Sequence, residues 1–474
     1  MVLARSSDQS STHSRRAVFR STASGFGHLA FLNLFADIAS ANASGTSGNP
    51  LLPQAPHFVP RAKRVIFLFM HGGVSHIDTF DPKPKLTELN GKPLPFDTPL
   101  QFNEVGNLLQ SPWRFRRYGQ SGLPVSELFP HVSGVVDELS FVKSMHVEQV
   151  DHGGAILQLL TGSAVFTRPS LGAWVTYGLG SDNQDMPGFV SMSTPVIHGA
   201  TQLFGSAFLP ASFQGTAIGN ANVPLKKANI NNLNPALGST DVQRLQIDLI
   251  QAGNRDFGDG DSDSRLNARI EAMELAFRMQ MAAPEVLSIS QESQQTLDLY
   301  GVDQGPTDNF GRQCLLARRM VEKGVRFVQC SHTYKWDQHS DLKNGHEGNA
   351  REVDKPIAAL IQDLKHRGLL DETLVVWGTE FGRTPVAEGT DGRDHNPYGF
   401  TMWMAGGGVK QGYSHGNTDE FGYFAMENKT SMYDLHATIL HLLGMDHTAL
   451  TYRYAGRDFR LTDVFGKVVD EIIS

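Results

Sequence analysis

Two acid–imidazole pairs stand in the C-terminal third of this sequence. Asp337 and His339 flank a glutamine, Asp394 and His395 are adjacent, and His415 follows later. Carboxylates and neutral imidazoles are the usual oxygen and nitrogen ligands of zinc, iron and manganese. Adjacent residues of an extended segment point in opposite directions, so the second pair could face two metals, whereas the first would share one face. Together the pairs predict a metal centre, although each alone also fits an ordinary loop.

Other chemically active side chains lie near the ends of predicted elements. His71 follows the apolar run from residue 64 to 70, and Glu380 follows the run from 373 to 378. Sites in open α/β sheets form beyond the carboxyl ends of strands, so we expect both side chains at one site. Asp151 and His152 precede a helical stretch, where an acid either caps the helix or accepts a proton. Arg383 either balances developing negative charge or forms a plain salt bridge.

Short apolar runs alternate with helical stretches after residue 60. This alternation predicts an α/β fold with a mostly parallel central sheet. The predicted strands are 64–70, 141–145, 325–330, 373–378 and 401–405, and the predicted helices are 153–160, 171–177, 311–323, 349–366 and 432–443. Residues 201–300 contain an Asn-rich stretch and an acidic loop, and they are predicted to be a partly helical insertion.

The N-terminus has the pattern of an export signal. Arg15 and Arg16 precede a moderately apolar run, 23–39, that is too interrupted to span a bilayer, and Ala41–Ala43 resembles a cleavage site. The pattern resembles a twin-arginine signal over residues 1–43, followed by a linker over 44–60. We therefore expect a periplasmic or extracellular protein without an integral membrane segment once the signal is removed. A cytosolic protein with a basic tail is the alternative.

Composition excludes several classes of protein. The 474 residues are 40% hydrophobic, which is typical of a globular protein, and the net charge of −8 argues against a nucleic-acid partner. Cys314 and Cys330 are the only cysteines, so neither a disulfide scaffold nor a cysteine-rich zinc site is present.

Several segments together resemble a bacterial family, the domain of unknown function 1501. This family is grouped with the alkaline phosphatase and sulfatase superfamily. The resemblance implies an alkaline phosphatase-like domain over residues 61–474, with its sheet sandwiched by helices, and a one- or two-metal site that hydrolyses phosphate or sulfate esters. The segments that carry the resemblance are 71–84, 336–339, 380–385, 392–395, 434–438 and 457–466.

The resemblance also implies roles for individual residues. Asp337, His339 and His415 match the ligands of one metal, and Asp394 with His395 matches the Asp-His pair of the superfamily. Three positions depart from the superfamily's pattern. A metal-binding aspartate is replaced by His71, the hydroxyl or thiol nucleophile by His152, and a substrate-binding arginine by Ile156. A covalent serine-type mechanism is therefore not expected here.

Two functions follow as expectations. The first is an exported hydrolase of small-molecule or polysaccharide sulfate or phosphate esters, in which bound divalent metal (zinc, manganese, calcium or iron) activates water. In it His152 is a ligand or general base, Glu380 or Asp151 accepts the proton, and Arg383 balances charge. The second is a non-catalytic metal- or glycan-binding envelope protein. A purely structural envelope protein is a third reading.

Overall fold

The computed structural model describes residues 50–99, 106–228, 242, 244–249, 274–275, 277–278 and 284–474. The strands, in chain order, are β1 (Arg64–Met70), β2 (Phe115–Tyr118), β3 (Leu123–Ser126), β4 (Leu139–His146), β5 (Phe189–Thr194), β6 (Thr216–Asn220), β7 (Phe327–His332), β8 (Thr373–Gly378), β9 (Gly382–Arg383), β10 (His395–Asn396), β11 (Phe400–Ala405), β12 (Tyr413–His415), β13 (Asn417–Thr418), β14 (Ala425–Glu427), β15 (Thr430–Ser431), β16 (Tyr452–Tyr454) and β17 (Arg457–Phe459).

Helices separate many of these strands. The α-helices are α1 (His76–Thr79), α2 (Pro84–Glu88), α3 (His152–Thr161), α4 (Leu171–Leu179), α5 (Gln294–Tyr300), α6 (Asp308–Glu322), α7 (Leu342–His366) and α8 (Met432–Leu442). Residues 244–249 and 284–287 are helical as well. Short 3-10 helices cover Val132–Glu138, Ala200–Phe204, Ala211–Phe213, Leu225–Lys227, Ile289–Gln291, Gly305–Thr307, Leu370–Glu372 and Asp470–Ile472.

Nine of the strands form one sheet in the order β12-β4-β11-β8-β1-β7-β5-β6, with β15 also paired to β4. β1 pairs in parallel with β7 and β8, and β5 pairs in parallel with β6 and β7. Only β11 runs against its neighbours β4 and β8. The prediction of an α/β fold with a mostly parallel central sheet is therefore confirmed.

The central strands are apolar because both faces of the sheet are covered. Every residue from Val65 to Met70 has 0% exposure, as does the run from Leu374 to Val376. Continuous apolar strands of this kind are typical of parallel sheets that lie between helices. Helices α6 and α7 supply much of the cover, with Leu315, Ile357 and Leu360 in the same buried cluster as the strands.

The predicted elements match the observed ones unevenly. Strand β8 has the predicted bounds, and β4, β7 and β11 differ from prediction by a few residues. Strands β5 and β6 were not predicted, because the serines and threonine of the first and the short length of the second hide the apolar pattern. Since β6 belongs to the sheet, the sheet extends into the segment predicted to be an insertion.

The chain divides into two compact units by its internal contacts. One is Met1–Gly48 with Tyr452–Phe459, and its described part is the β16–β17 hairpin. The other is Asn49–Thr451 with Arg460–Ser474, which holds the sheet. The predicted signal over 1–43, part of the linker and much of the predicted insertion lie outside the described residues. Within the described ranges, no helix has the length and apolar character to cross a membrane.

Candidate metal centre

Three neighbouring parallel strands deliver the first residues of the site. His71 follows β1, the segment from Tyr334 to Asp337 follows β7, and Glu380 follows β8. Because β7 and β8 flank β1 in parallel, their carboxyl ends lie at one edge of the sheet. Side chains that are far apart in sequence therefore meet at this edge.

Helix α3 brings His152 to the same place. Asp151 is its N-cap, and the carboxylate accepts a hydrogen bond of 2.9 Å from the Gly154 amide. His152 is the first helical residue and is buried. The Asp151 side chain is exposed and caps the helix, which is one of the two roles expected for it. Proton acceptance by Asp151 in catalysis remains a prediction.

A short antiparallel pair, β9 with β10, brings in the second acid–imidazole pair. His395 lies opposite Arg383 in this pair. A close backbone contact also holds the connecting loop against the first pair, since a Cβ on Gly392 would stand 1.9 Å from the His339 carbonyl oxygen. Asp394 and His395 are thus placed beside Asp337 and His339.

Three imidazole nitrogens converge on one carboxylate oxygen. Asp337 Oδ1 lies 2.9 Å from His339 Nε2, 3.2 Å from His152 Nε2 and 3.3 Å from His395 Nε2. The Nε2 atoms of His339 and His395 are 3.1 Å apart. These residues come from three separate stretches of the chain.

The other nitrogen of each ring faces a hydrogen-bond acceptor. His152 Nδ1 is 2.7 Å from Glu380 Oε1, and His395 Nδ1 is 2.7 Å from the Val150 carbonyl oxygen. His339 Nδ1 contacts the Glu388 carboxylate. We assign the ring proton to Nδ1 in each case, which leaves the three Nε2 lone pairs directed at Asp337. Lone pairs that converge in this way repel one another unless a metal ion or protons lie between them.

The distances fit a metal ion. Bonds of 2.0–2.1 Å to zinc place tetrahedral ligand atoms about 3.3 Å apart, close to the separations observed. His152 Nε2 is buried and has no hydrogen-bond partner of good geometry, as expected of a ligand atom. The donor atoms fall into two overlapping groups, within each of which they lie at most 4.8 Å apart: His152, Asp337 and His395, and His339, Asp394 and His395.

The ligand types in these groups limit which metal ions can bind. Three imidazoles with two carboxylates favour zinc, iron or manganese, whereas calcium prefers oxygen ligands alone. Since His395 belongs to both groups, the cluster can hold one ion or two neighbouring ions.

The charges in the cluster depend strongly on one another. Burial raises the pKa of Asp337, but its imidazole partners and Arg383 outweigh burial and hold that pKa far below its usual range. Burial also opposes ionisation of Glu380, yet the bond from His152 lowers the pKa of this carboxyl to about 2. For His152, burial lowers the pKa, but the two carboxylates beside the ring raise it to about 9. The cluster is thus built to hold positive charge.

Glu380 and Arg383 are buried beside the cluster, and Arg383 forms a salt bridge to Asp337, the alternative expected beside its catalytic role. Glu380 has 0% exposure and accepts bonds from His152, the Gly72 amide (2.8 Å) and the Thr379 hydroxyl (2.9 Å), so it orients His152 and is closed to substrate. Arg383 is equally buried. Its guanidinium donates to Asp337 and to carbonyl oxygens of residues 72, 73, 336 and 393, so it braces the loops and cannot reach an ester.

His71 lies beside the cluster without joining either group. Its Nε2 atom is 3.2 Å from Nδ1 of His198, and its Nδ1 atom is buried without a hydrogen-bond partner. Burial lowers the pKa of His71 to about 4, so the ring is neutral near pH 7 and its lone pair is available. Its predicted role as a ligand remains a prediction.

Sequence reasoning missed two residues of the site. Tyr334 donates a hydrogen bond of 3.0 Å to Asp337 Oδ2 and is 43% exposed. His198 follows strand β5, in a loop where His198 and Ala200 have φ of 54° and 43°. Such values are strained for residues with a Cβ and often occur at functional sites. Prediction of β5 would have placed His198 at a strand end.

His415 belongs to neither group, so the structure gives no support to its predicted role as a ligand. It ends strand β12, where it pairs with Val142 of β4. Strands β4, β11 and β8 separate β12 from β1. Four spacings of 4.7–4.9 Å put these two strands roughly 19 Å apart. The spacing of His415 in the sequence gave no sign of this edge position.

The solved structures that match this chain have low sequence identity and low TM-scores. The lipoteichoic acid synthase LtaP from Listeria monocytogenes has 11% identity and a TM-score of 0.38, covering 89% of this chain and 80% of that one. The PsFucS1 sulfatase from Pseudoalteromonas sp. has 12% identity and a TM-score of 0.35, covering 81% and 68%. A Vibrio parahaemolyticus protein in the alkaline phosphatase superfamily has 10% identity and a TM-score of 0.35, and the match covers 84% of this chain and 70% of that one. TM-scores this low assign no activity.

No curated protein matches this chain. The family described as "Protein of unknown function (DUF1501)" matches residues 62–473. Because this match covers most of the sequence, the chain belongs to the DUF1501 family.

Proposed function

We propose that this protein is a metal-dependent hydrolase of sulfate or phosphate esters. The observation that carries the proposal is the convergence of three imidazole nitrogens on Asp337 Oδ1, with the other nitrogen of each ring facing a hydrogen-bond acceptor. The likeness of the sequence motifs to the alkaline phosphatase and sulfatase superfamily supports the choice of ester. The described cluster contains no serine, threonine or cysteine in the place of a nucleophile, which supports direct attack by water.

The protein side chains have distinct tasks in this proposal. A divalent ion, when bound, would supply Lewis acidity and lower the pKa of a water from 15.7 to about 7. Glu380 fixes the tautomer and orientation of His152, and Arg383 holds the Asp337 carboxylate in place. Tyr334 and His198 lie at the partly exposed side of the cluster. The Tyr334 hydroxyl donates to Asp337 and helps to fix it, and the His198 ring can donate to an ester oxygen and orient it.

Metal analysis of the purified protein tests the proposal first. We expect about one or two equivalents of zinc, iron or manganese, and loss of most of this metal in His395→Ala because both groups share His395. His415→Ala is the matched control, since it removes a buried histidine outside the cluster. Metal-free wild-type protein, or equal loss in both variants, would refute the metal site.

Turnover of 4-nitrophenyl sulfate and 4-nitrophenyl phosphate tests the reaction. We expect hydrolysis that a chelator abolishes and that added metal restores, with no activity in His395→Ala. Hydrolysis that survives the loss of metal would show that another site is responsible.

A non-catalytic metal- or glycan-binding protein is the second candidate, and one observation favours it. Arg383, the nearest cation to Asp337, is buried and fully engaged with backbone and carboxylate groups, so it cannot bind an anionic ester. Bound metal with no turnover of either ester class would support this second function.

We also propose that the chain is exported by the twin-arginine route. Support comes from Arg15 and Arg16 ahead of an apolar run and from the Ala41–Ala43 pattern. Cell fractionation should show export with cleavage after residue 43, and Arg15→Lys with Arg16→Lys should retain the protein in the cytoplasm. An unprocessed, cytoplasmic wild-type protein would contradict the proposal.

A further inference from the structure

A cavity lies near the metal centre. Its volume is about 300 Å³, at the lower end of the range of small-molecule pockets. The lining includes three aromatic side chains and three polar or charged ones: Tyr398, Phe424, Tyr433, Gln158, Glu148 and Lys429.

The cavity and the metal cluster are built partly on the same segments of the chain. His152 and Gln158 lie on the same helix α3, six residues or about 9 Å apart along its axis. On the other wall, His395 and Tyr398 are three residues apart, which is at most about 11 Å of chain. The two walls are tied together by the hydrogen bond of 2.9 Å from the Val147 amide to the Pro397 carbonyl oxygen. A ligand in the cavity is therefore close to the cluster.

The aromatic rings are held in place before any ligand binds. The centroids of Tyr398 and Phe424 are 5.7 Å apart at an interplanar angle of 48°. Phe424 also packs on Tyr423 at 4.7 Å and on Phe96 at 5.8 Å. Rings fixed in this way offer a ready apolar surface at little entropic cost.

The polar groups of the cavity fit a hydroxylated ligand. Gln158 is 1% exposed, and its amide is held by a hydrogen bond with the Tyr433 side chain and by a long bond of 3.4 Å that its Oε1 atom accepts from the Glu148 amide. Glu148 and Lys429 are exposed, and their opposite charges offset each other. A neutral ring that has apolar C–H faces and hydroxyl edges matches these walls better than a lipid chain or an anion does.

We infer that this cavity binds the sugar ring of a saccharide ester whose anionic group reaches the metal centre. The inference rests on the proposed function for the ester group and assigns the substrate class to carbohydrates. The aromatic rings take the C–H face of the sugar, and Gln158 with the charged pair takes its hydroxyls.

Binding of neutral sugars tests the inference separately from the metal chemistry. The probes are methyl glucoside, methyl galactoside and methyl mannoside, observed by saturation-transfer NMR with the full chain. We expect transfer to the ring C–H protons of at least one probe, and roughly tenfold weaker binding in Tyr398→Ala and in Phe424→Leu, equivalent to about 1.4 kcal/mol. Tyr413→Ala is the matched control, because Tyr413 is a partly exposed tyrosine outside the cavity and should bind like wild type.

The outcomes separate the two proposals. Sugar binding that persists after chelation supports the cavity, even when no ester is hydrolysed. No transfer to any of the three glycosides overturns the inference, and so does binding that is unchanged in both cavity variants. Equal loss in the Tyr413→Ala control would also overturn it, since the effect would then be unrelated to the cavity.

Discussion

Replacement of Glu380 by glutamine should weaken metal binding without touching a ligand. The carboxylate accepts the Nδ1 proton of His152 over 2.7 Å in a site with 0% exposure. Bonds to charged groups contribute about 1.5–3 kcal/mol and are roughly twice as strong as neutral ones. Glu380→Gln keeps the shape and the bond but removes the charge, so about 1–1.5 kcal/mol is lost. This corresponds to roughly a tenfold higher dissociation constant, in line with the 10–100-fold effects of such outer carboxylates.

Competition titration with a chromophoric zinc chelator measures this change. The titration is run at neutral pH and again near pH 9. Against the effect of burial, Asp337 and Glu380 raise the pKa of His152 to about 9, so at neutral pH a proton competes with the metal for this ring. The weakening should be larger at the higher pH, where this competition is much smaller in the wild type than at neutral pH. Glu352→Gln is the matched control, since Glu352 lies 3.0 Å from His332 outside the cluster. A variant affinity within twofold of wild type at both pH values would refute the reasoning.

Three further predictions concern stability and folding of the site. His436→Gln should reduce acid sensitivity: burial lowers the His436 pKa to about 4 from 6.5, so folding stability is lost as pH falls from 6.5 to 4, by up to about 3 kcal/mol. Urea unfolding against pH measures this, and an unchanged pH profile would contradict it. Arg383→Ala should lower the free energy of unfolding by about 3–5 kcal/mol, since it leaves the Asp337 carboxylate without its buried guanidinium partner. A loss below 1 kcal/mol in the same urea assay would exclude the bracing role. Gly392→Ala should lose metal and lower the melting temperature, because its Cβ would stand 1.9 Å from the His339 carbonyl oxygen; wild-type metal content by elemental analysis would argue against this.

Local sequence was enough to predict much of the fold. Strands β1 and β8 are continuous apolar runs, and their types follow from burial on both faces of a parallel sheet. The candidate ligands Asp337, His339 and His395 were likewise evident, because few residue types bind transition metals and these stood in pairs. Such features depend on a residue and its near neighbours.

Only the tertiary structure decided which histidines share a site. Strand order places His415 on the edge strand β12, away from β1. It also brings His198 beside His152 from the end of β5, a strand that the apolar pattern did not reveal. It also turns Arg383 inward, where backbone carbonyls take up its charge. The physical reason is that strand order and loop approach depend on contacts between distant segments, and no local spacing of residue types encodes them.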